Sequence, residues 1–252
     1  MFRERIEAVT TCVGYADFLA ETAHWNAKHF DHWVVVTTPT DTDTREVCRK
    51  YRLQCLITED NVRDGPFSKG RMIERGLQQL GFNSYIMHID ADIVLPGSFR
   101  QDLERAHIET DKIYGFDRFM VRGEAKWRKL VESGWPNLPS YGHPHAVVIP
   151  EGFPFGARWA GPDGWVPIGF AQLWHRKYGE EEWRGVRVKP YPIEHGSACR
   201  TDVQFSLQWD RRQRALIPEL VVAHLESEGA SNGINWNGRK SKPFGEAYTP
   251  QV

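Results

Sequence analysis

The stretch YIMHIDADIVLP, residues 85–96, sets two carboxylates, Asp90 and Asp92, inside an apolar run. Such a run reads as a strand buried on both faces, as in a parallel sheet. Side chains two apart in extended chain point the same way, so the spacing predicts both acids on one side of the strand with Ala91 between them. In an open α/β sheet the ligand crevice lies beyond the carboxyl ends of the strands. Two carboxylates there repel each other unless a cation joins them. A hard divalent ion, Mg²⁺ or Mn²⁺, favours oxygen ligands and commonly shares them with substrate phosphates. The plainer alternative is a strand-end pair that caps the next turn. Asp41 and Asp43 in PTDTDT form the same tripeptide pattern, but they follow a proline in a polar, helix-initiating stretch where N-capping accounts for them.

Working outward, residues 6–13 (IEAVTTCV), HWVVVTTP and LQCLIT read as strands, and residues 85–95 as a fourth. ADFLAETAHWNAKHF spaces Phe18, Leu19, Thr22, Trp25 and Phe30 like one helix face; a second helix starts at Asp43 or Thr44; SKGRMIERGLQQLG is a third, closed by Gly81. Strands separated by helices imply a mostly parallel sheet covered on both faces. After residue 97 the pattern loosens. SFRQDLERAH and GEAKWRKLVES read as helical and DKIYGFDRFMV as a strand, whereas residues 135–163 are rich in Gly, Pro and aromatics. Loop-rich stretches of this length in compact domains are more often functional than idle. One domain is expected, with residues 1–97 as a donor-binding half and 98–252 as an acceptor-binding half.

The chain has 252 residues, 40% hydrophobic and 26% charged, and a formal net charge of -1, so a polyanionic partner would need a local basic patch. No run approaches the roughly 20 apolar residues of a membrane span, and a cytoplasmic location without membrane partners is expected. Cys12, Cys48, Cys55 and Cys199 lack metal-site spacing and read as buried thiols.

The ordered set TTCVGYAD, VVTTPTD, FSKGRMIERGL, HIDADIVL, GFAQLWHR, RTDVQF and VVAHLES resembles the GT-A nucleotide-sugar glycosyltransferases over about residues 6–226. The resemblance implies a Rossmann-like α/β fold, a nucleotide-sugar donor such as a UDP-sugar, and Mn²⁺ or Mg²⁺. It makes Asp90 the first acid of the DxD motif, near the ribose or the metal's water shell, and Asp92 the direct metal ligand. Thr11 and Thr38 would line the nucleobase and ribose. Lys69 and Arg71 stand at a helix start, where backbone amides and cations favour phosphate. His224, after LVVA, would complete the metal shell. Asp202 resembles the general base of inverting members, although Thr201 stands where a second acid is common; inversion or retention stays open.

Trp159, Trp165, Trp174, Trp183 and Trp236 crowd the second half, and aromatic faces suit sugars and nucleobases alike. Trp165, Trp174 and His175 are the acceptor candidates. The short C-terminal half is similar to that of phage enzymes that glycosylate hydroxymethylated pyrimidines in DNA, an acceptor that gives a use to basic groups such as Arg118, Arg122, Lys126, Arg128, Arg239 and Lys240. A saccharide or lipid-linked glycan is the alternative acceptor. A nucleotidyltransferase would want a Gly-rich phosphate loop that TTCVGYADF lacks, and a lectin-like binder would have no use for Asp90, Asp92 and Lys69.

Overall fold

The computed structural model describes residues 2–60, 68–137, 142–143, 146–147, 150–162, 164–177, 181–183, 186–193 and 201–228. Trp236, Cys199, Arg239, Lys240 and the side chain of Trp183 lie outside the described residues. The first half alternates as its sequence predicts: β1 (Ile6–Thr11), α1 (Ala16–Asn26), β2 (His32–Thr37), α2 (Thr42–Tyr51), β3 (Gln54–Ile57), α3 (Lys69–Leu77) and β4 (Tyr85–Ile89). Period-two alternation sends successive residues to opposite faces. Ile6 and Ala8 of β1 and Trp33 and Val35 of β2 pack with Leu19 and Ala23 of α1. Val9, Val34 and Val36 pack with Met72, Ile73 and Leu77 of α3 on the other face.

Two details depart from the sequence expectations. The strand expected to run through residue 95 stops at Ile89. Asp90, Ala91 and Asp92 form a tight turn, closed by the Ile93 N–H on the Asp90 carbonyl at 3.3 Å, before the two-residue β5 (Ile93–Val94). The turn leaves Asp90 partly exposed and Asp92 buried while its backbone stays bonded to both neighbours, the Asp90 N–H to the Phe170 carbonyl and the Asp92 carbonyl to the Leu225 N–H, which is how two acids fit into an otherwise buried run. The cap of α2 is Asp41, two or three residues before the expected Asp43 or Thr44: its Oδ1 accepts the Thr44 N–H at 3.1 Å while Oδ2 accepts the Gly14 N–H at 2.8 Å.

The chain continues through α4 (Phe99–Arg105), β6 (Ile113–Arg122) and α5 (Glu124–Glu132). Three short antiparallel ladders follow: β7 (Gly142–His143) with β8 (Ala146–Val147), β9 (Trp159–Gly161) with β10 (Gly164–Val166), and β12 (Glu181–Trp183) with β13 (Val186–Val188). Between them runs β11 (Ala171–His175), and α6 (Thr201–Ser206) and β14 (Arg214–Glu226) follow. The main sheet has the order β3-β2-β1-β4-β11-β6-β14-β5. Pairing is parallel from β3 to β4 and between β6 and β14; β11 enters antiparallel between β4 and β6, and β5 runs antiparallel to β14. The order turns at β1, flanked by β2 on one side and β4 on the other. That is where an α/β sheet opens a crevice at its carboxyl edge. No helix among the described residues is long and apolar enough to cross a membrane.

Candidate active site

Because β11 runs against β4, its entry lies beside the exit of β4. The Asp90 N–H donates to the Phe170 carbonyl at 2.9 Å, and Ala171 pairs with Ile89. Gly169 and Phe170 therefore sit at the crevice, and successive residues of β11 move away from it. The same crevice receives the start of α3, whose close approach to the 190–193 segment requires a glycine: a Cβ on Gly70 would stand 2.0 Å from the Pro192 carbonyl oxygen.

Lys69, at the first turn of α3, donates to Asp90 Oδ1 at 2.5 Å, and its ammonium also reaches the Gly169 carbonyl at 3.4 Å. Burial raises the pKa of the Asp90 carboxyl, but the Lys69 charge and then His88 hold it well below the usual carboxylate range. His88 is fully buried, and burial pushes its pKa down. Its Nε2 lies 3.4 Å from Asp90 Oδ1, too poorly aligned for a hydrogen bond. Beneath it, Gln172 faces His88 across the β4–β11 ladder and accepts from Tyr191 Oη at 3.2 Å. The two protons of the Gln172 NH2 are shared among Pro167 O, Asp202 O and Ser206 Oγ, at 3.0, 3.0 and 2.8 Å. This saturated amide ties α6 to the sheet.

Asp202 lies in the first turn of α6, yet its carboxylate turns back to the sheet: Oδ2 accepts the Gly169 N–H at 2.6 Å, and Oδ1 is buried without a partner. Gly169 thus joins two predicted residues, giving its carbonyl to Lys69 and its N–H to Asp202. A side chain there would meet Asp202 Cβ at 2.4 Å.

Asp92 is 5% exposed, and His224 3%. The Asp92 carbonyl accepts the Leu225 N–H at 2.8 Å, and Ile93 pairs with His224, so β14 brings the ring to the acid. Asp92 Oδ2 stands 3.4 Å from His224 Nε2; Asp92 Oδ1 and that Nε2 have no hydrogen-bond partner. Buried polar atoms left this way cost free energy comparable to a lost hydrogen bond, and an oxygen and an imidazole nitrogen facing one another are a donor set that suits Mn²⁺. Among the described residues no three His, Cys, Asp or Glu side chains are close enough to hold a metal together. The residues fit a cation that takes its other ligands from a substrate and water, as Mg²⁺ and Mn²⁺ commonly do.

Behind this pair stands Arg118 of β6. Its Nη1 is 3.0 Å from His224 Nδ1, and its guanidinium carbon lies 4.4 Å from the centroid of the Phe170 ring. Burial pushes its pKa down, against the field of Asp92, Asp90, Glu226 and Asp202. Beyond it a cleft is lined by Phe116, Arg158, Trp159, Trp165, Ile168 and Phe170. Arg158 anchors the β9–β10 hairpin by a bidentate pair with the buried Asp117, at 2.6 and 2.5 Å.

Of the residues singled out by sequence, the structure brings together Lys69, Asp90, Asp92, Asp202 and His224, and places Trp165 beside them. Thr11 ends β1 half-buried and Thr38 follows β2 with 5% exposure, bonded to Thr40 Oγ1 at 3.3 Å. Arg71 stands in the first turn of α3, half-buried. Trp174 and His175 are not at the crevice. Trp174 is 2% exposed, edge-on to Phe205 at 4.7 Å. His175 meets Tyr85, at the entry of β4, at 5.1 Å. The next residue, Arg176, donates to the Leu77 carbonyl at the far end of α3, roughly 13 Å of helix away from Lys69. The antiparallel sense of β11 causes this displacement. Of the expected basic groups among the described residues, Arg118 turns inward, Arg122 pairs with Glu226 at 3.0 Å and Arg128 pairs with Glu21 and Glu124, while Lys126 is exposed on α5. His88, Gly169, Phe170 and Gln172 carry no signal in the sequence reading, which singles out Arg118 only as a basic group for a DNA acceptor. Asp117 and Arg118 carried the usable signal, since FDRF puts charge into an apolar strand just as HIDAD does.

No family model matches the sequence, and no curated protein matches it. Among solved structures, the chain is similar to glucosyl-3-phosphoglycerate synthase from Mycobacterium tuberculosis in complex with Mn²⁺, UDP and glucosyl-3-phosphoglycerate, at 16% identity over 46% of this chain and 44% of that one, with a TM-score of 0.38. It is similar to the same enzyme in complex with UDP at 16% identity over 52% and 50%, TM-score 0.37, and to a mycobacterial protein at 14% identity over 52% and 47%, TM-score 0.35. The chain spans half or less of the length of each of these.

Proposed function

We propose that this chain is a metal-dependent glycosyltransferase that moves a sugar from a nucleotide-sugar donor, UDP-hexose first among them, to an acceptor hydroxyl. The observation that carries the reading is the Asp92 carboxylate facing the His224 ring, Oδ2 at 3.4 Å from Nε2 with Asp92 Oδ1 and His224 Nε2 both left without a hydrogen-bond partner, at the carboxyl edge of the sheet beside the Lys69–Asp90 ion pair. Asp92 and His224 would hold Mn²⁺ or Mg²⁺, which when bound supplies Lewis-acid stabilisation of a leaving diphosphate. Lys69 and Arg71 add positive charge at the start of α3 for the same phosphates. Thr11 and Thr38 sit where the nucleoside would enter. Asp202 serves as the general base: Gly169 orients its Oδ2, and the buried Oδ1 is left to take a hydroxyl proton.

The acceptor reading moves toward a saccharide. Trp159, 43% exposed, and Trp165 offer flat apolar faces beside the acids. DNA carrying hydroxymethylated pyrimidines draws less support, because Arg118, Arg122 and Arg128 are already engaged with protein groups. The transfer reading is tested by incubating the protein with UDP-, GDP- and dTDP-hexoses with and without Mn²⁺. Metal-dependent release of free nucleotide is expected. No release from any donor, or equal release in EDTA, would overturn it. Offering oligosaccharides and hydroxymethylcytosine DNA in parallel, with mass spectrometry for a hexose increment, then chooses the acceptor; steep loss of binding with salt is expected for DNA alone.

A further inference from the structure

The acidic centre contains a cation of the chain's own. An arginine guanidinium only donates, so the 3.0 Å contact from Arg118 Nη1 makes His224 Nδ1 the acceptor. A neutral imidazole accepting at Nδ1 carries its proton on Nε2, the nitrogen that faces Asp92 Oδ2 at 3.4 Å. A nitrogen that bears a proton has no lone pair for a metal. Metal-binding histidines show the reverse arrangement, ligating through one nitrogen while the other donates its N–H to an acceptor. With Arg118 in place, His224 therefore presents an N–H, 3.4 Å from Asp92 Oδ2, and no lone pair for an ion.

The surroundings are shaped to keep Arg118 there. Its strand neighbour Asp117 is buried and clamped by Arg158. Phe170 lies flat against the guanidinium and is also stacked on the His224 ring, with centroids 6.3 Å apart. Gly156, whose N–H donates to the Arg118 carbonyl, leaves the space the side chain fills: a Cβ would stand 2.5 Å from Arg118 Cγ and 2.7 Å from Nε. The Nε group is buried without a partner, so this position is not the one that satisfies the guanidinium best. The guanidinium also lines the adjoining cleft with Trp165 and Trp159, the direction in which it would move away from His224.

We propose that Arg118 is a resident cation of the donor site, holding His224 in the tautomer that serves Asp92, and that it must leave His224 before that ring can ligate a metal. The proposal rests on the metal-dependent reading above. A divalent ion held by Asp92 and His224 would put two positive charges where Arg118 supplies one, while Lys69 keeps Asp90 compensated throughout, and Arg118 would be freed from His224.

The test uses two independent readouts on the full chain. Histidine ¹⁵N NMR of the metal-free wild type should show His224 protonated on Nε2 with Nδ1 accepting; a proton on Nδ1 would overturn the proposal, and this needs no variant. Mn²⁺ titration followed by electron paramagnetic resonance, without nucleotide, should give tighter binding in Arg118→Met by about ten-fold or more, because a like charge a few ångströms from the ion is gone. Unchanged or weaker Mn²⁺ binding in the variant would overturn the proposal. If the wild type still releases nucleotide in a metal-dependent way in that case, only the role of Arg118 falls. If neither protein binds Mn²⁺, with or without UDP-glucose, the metal-dependent reading falls with it.

Discussion

Residues 6–97 and residues 98–228 surround one sheet and are built in different ways. In the first part β1 to β4 exit at the same edge, and the backbone does the positioning: Thr11, Thr38, Asp90 and Lys69 arrive at the crevice because β1, β2 and β4 end there and α3 starts there. In the second part the ladders are short, and buried polar side chains do the positioning. Gln172 fixes α6, Asp117 fixes the β9–β10 hairpin through Arg158, and Arg118 fixes His224. Changes in the first part should act through donor and metal, and changes in the second through orientation, acceptor and stability.

The largest effect is expected at Asp92. Asp92→Asn should cost about 10³-fold or more in metal-dependent nucleotide release, the scale of losing a principal electrostatic contact to the departing group, with the far-ultraviolet circular dichroism unchanged. A variant that keeps its rate would remove the turn at residues 90–92 from the mechanism.

Trp174 draws the line between the parts most sharply. Trp174→Ala should destabilise the fold by about 3–5 kcal/mol, measured by denaturant unfolding, while the Michaelis constant for an acceptor stays unchanged in the folded fraction. A raised Michaelis constant with intact stability would restore Trp174 to the acceptor wall.

Sequence alone made the first part legible because each element there is a local event: a short apolar run, a polar turn, a capped amphipathic helix. Its errors were also local. HIDADIVL reads as unbroken strand, since nothing in composition separates a three-residue turn flanked by Ile89 and Ile93 from continued strand. The second part failed differently. Trp174 and His175 stand as acceptor candidates on ring chemistry, but whether a residue nears the crevice depends on the sense of β11, which is decided by its partners β4 and β6 and not by its own residues. Arg118 was taken as a surface cation because its engagement with His224 spans more than a hundred residues of chain.

Asp202→Asn should lower turnover about 10²-fold with donor affinity nearly unchanged, seen as a change in kcat at constant nucleotide-sugar Kd. A loss of thermal stability alone would reduce Asp202 to a tie between α6 and Gly169.

The smallest effect is on acid stability and lies away from the site. His29, 4% exposed and edge-on to Phe99, has its pKa pushed down to about 3 by burial first and then by the charges of Lys28 and Arg100. The unfolded chain takes up that proton near the ordinary value of 6.5, whereas the folded chain resists it until about 3. Its contribution is therefore complete above pH 6.5 and falls as pH drops toward 3, by about 1.4 kcal/mol per pH unit. Unfolding curves between pH 7 and 4 should show this slope, and His29→Leu should flatten it; an unaltered slope would place the acid sensitivity elsewhere.

The central claim, that the turn at Asp90–Asp92 and the ring of His224 form a metal-dependent nucleotide-sugar site, is met most directly by thermal unfolding of the wild type and Asp92→Asn with UDP-glucose in the presence of Mn²⁺ or EDTA. A donor at a hundredfold excess over its Kd stabilises by about 2.7 kcal/mol, which at roughly 2–4 °C per kcal/mol for a chain of this size is a readily measured rise in Tm. The account predicts that rise for the wild type with UDP-glucose and Mn²⁺ together, and none in EDTA or in Asp92→Asn. An equal rise in EDTA or in the variant, or no rise with any nucleotide sugar, would contradict it.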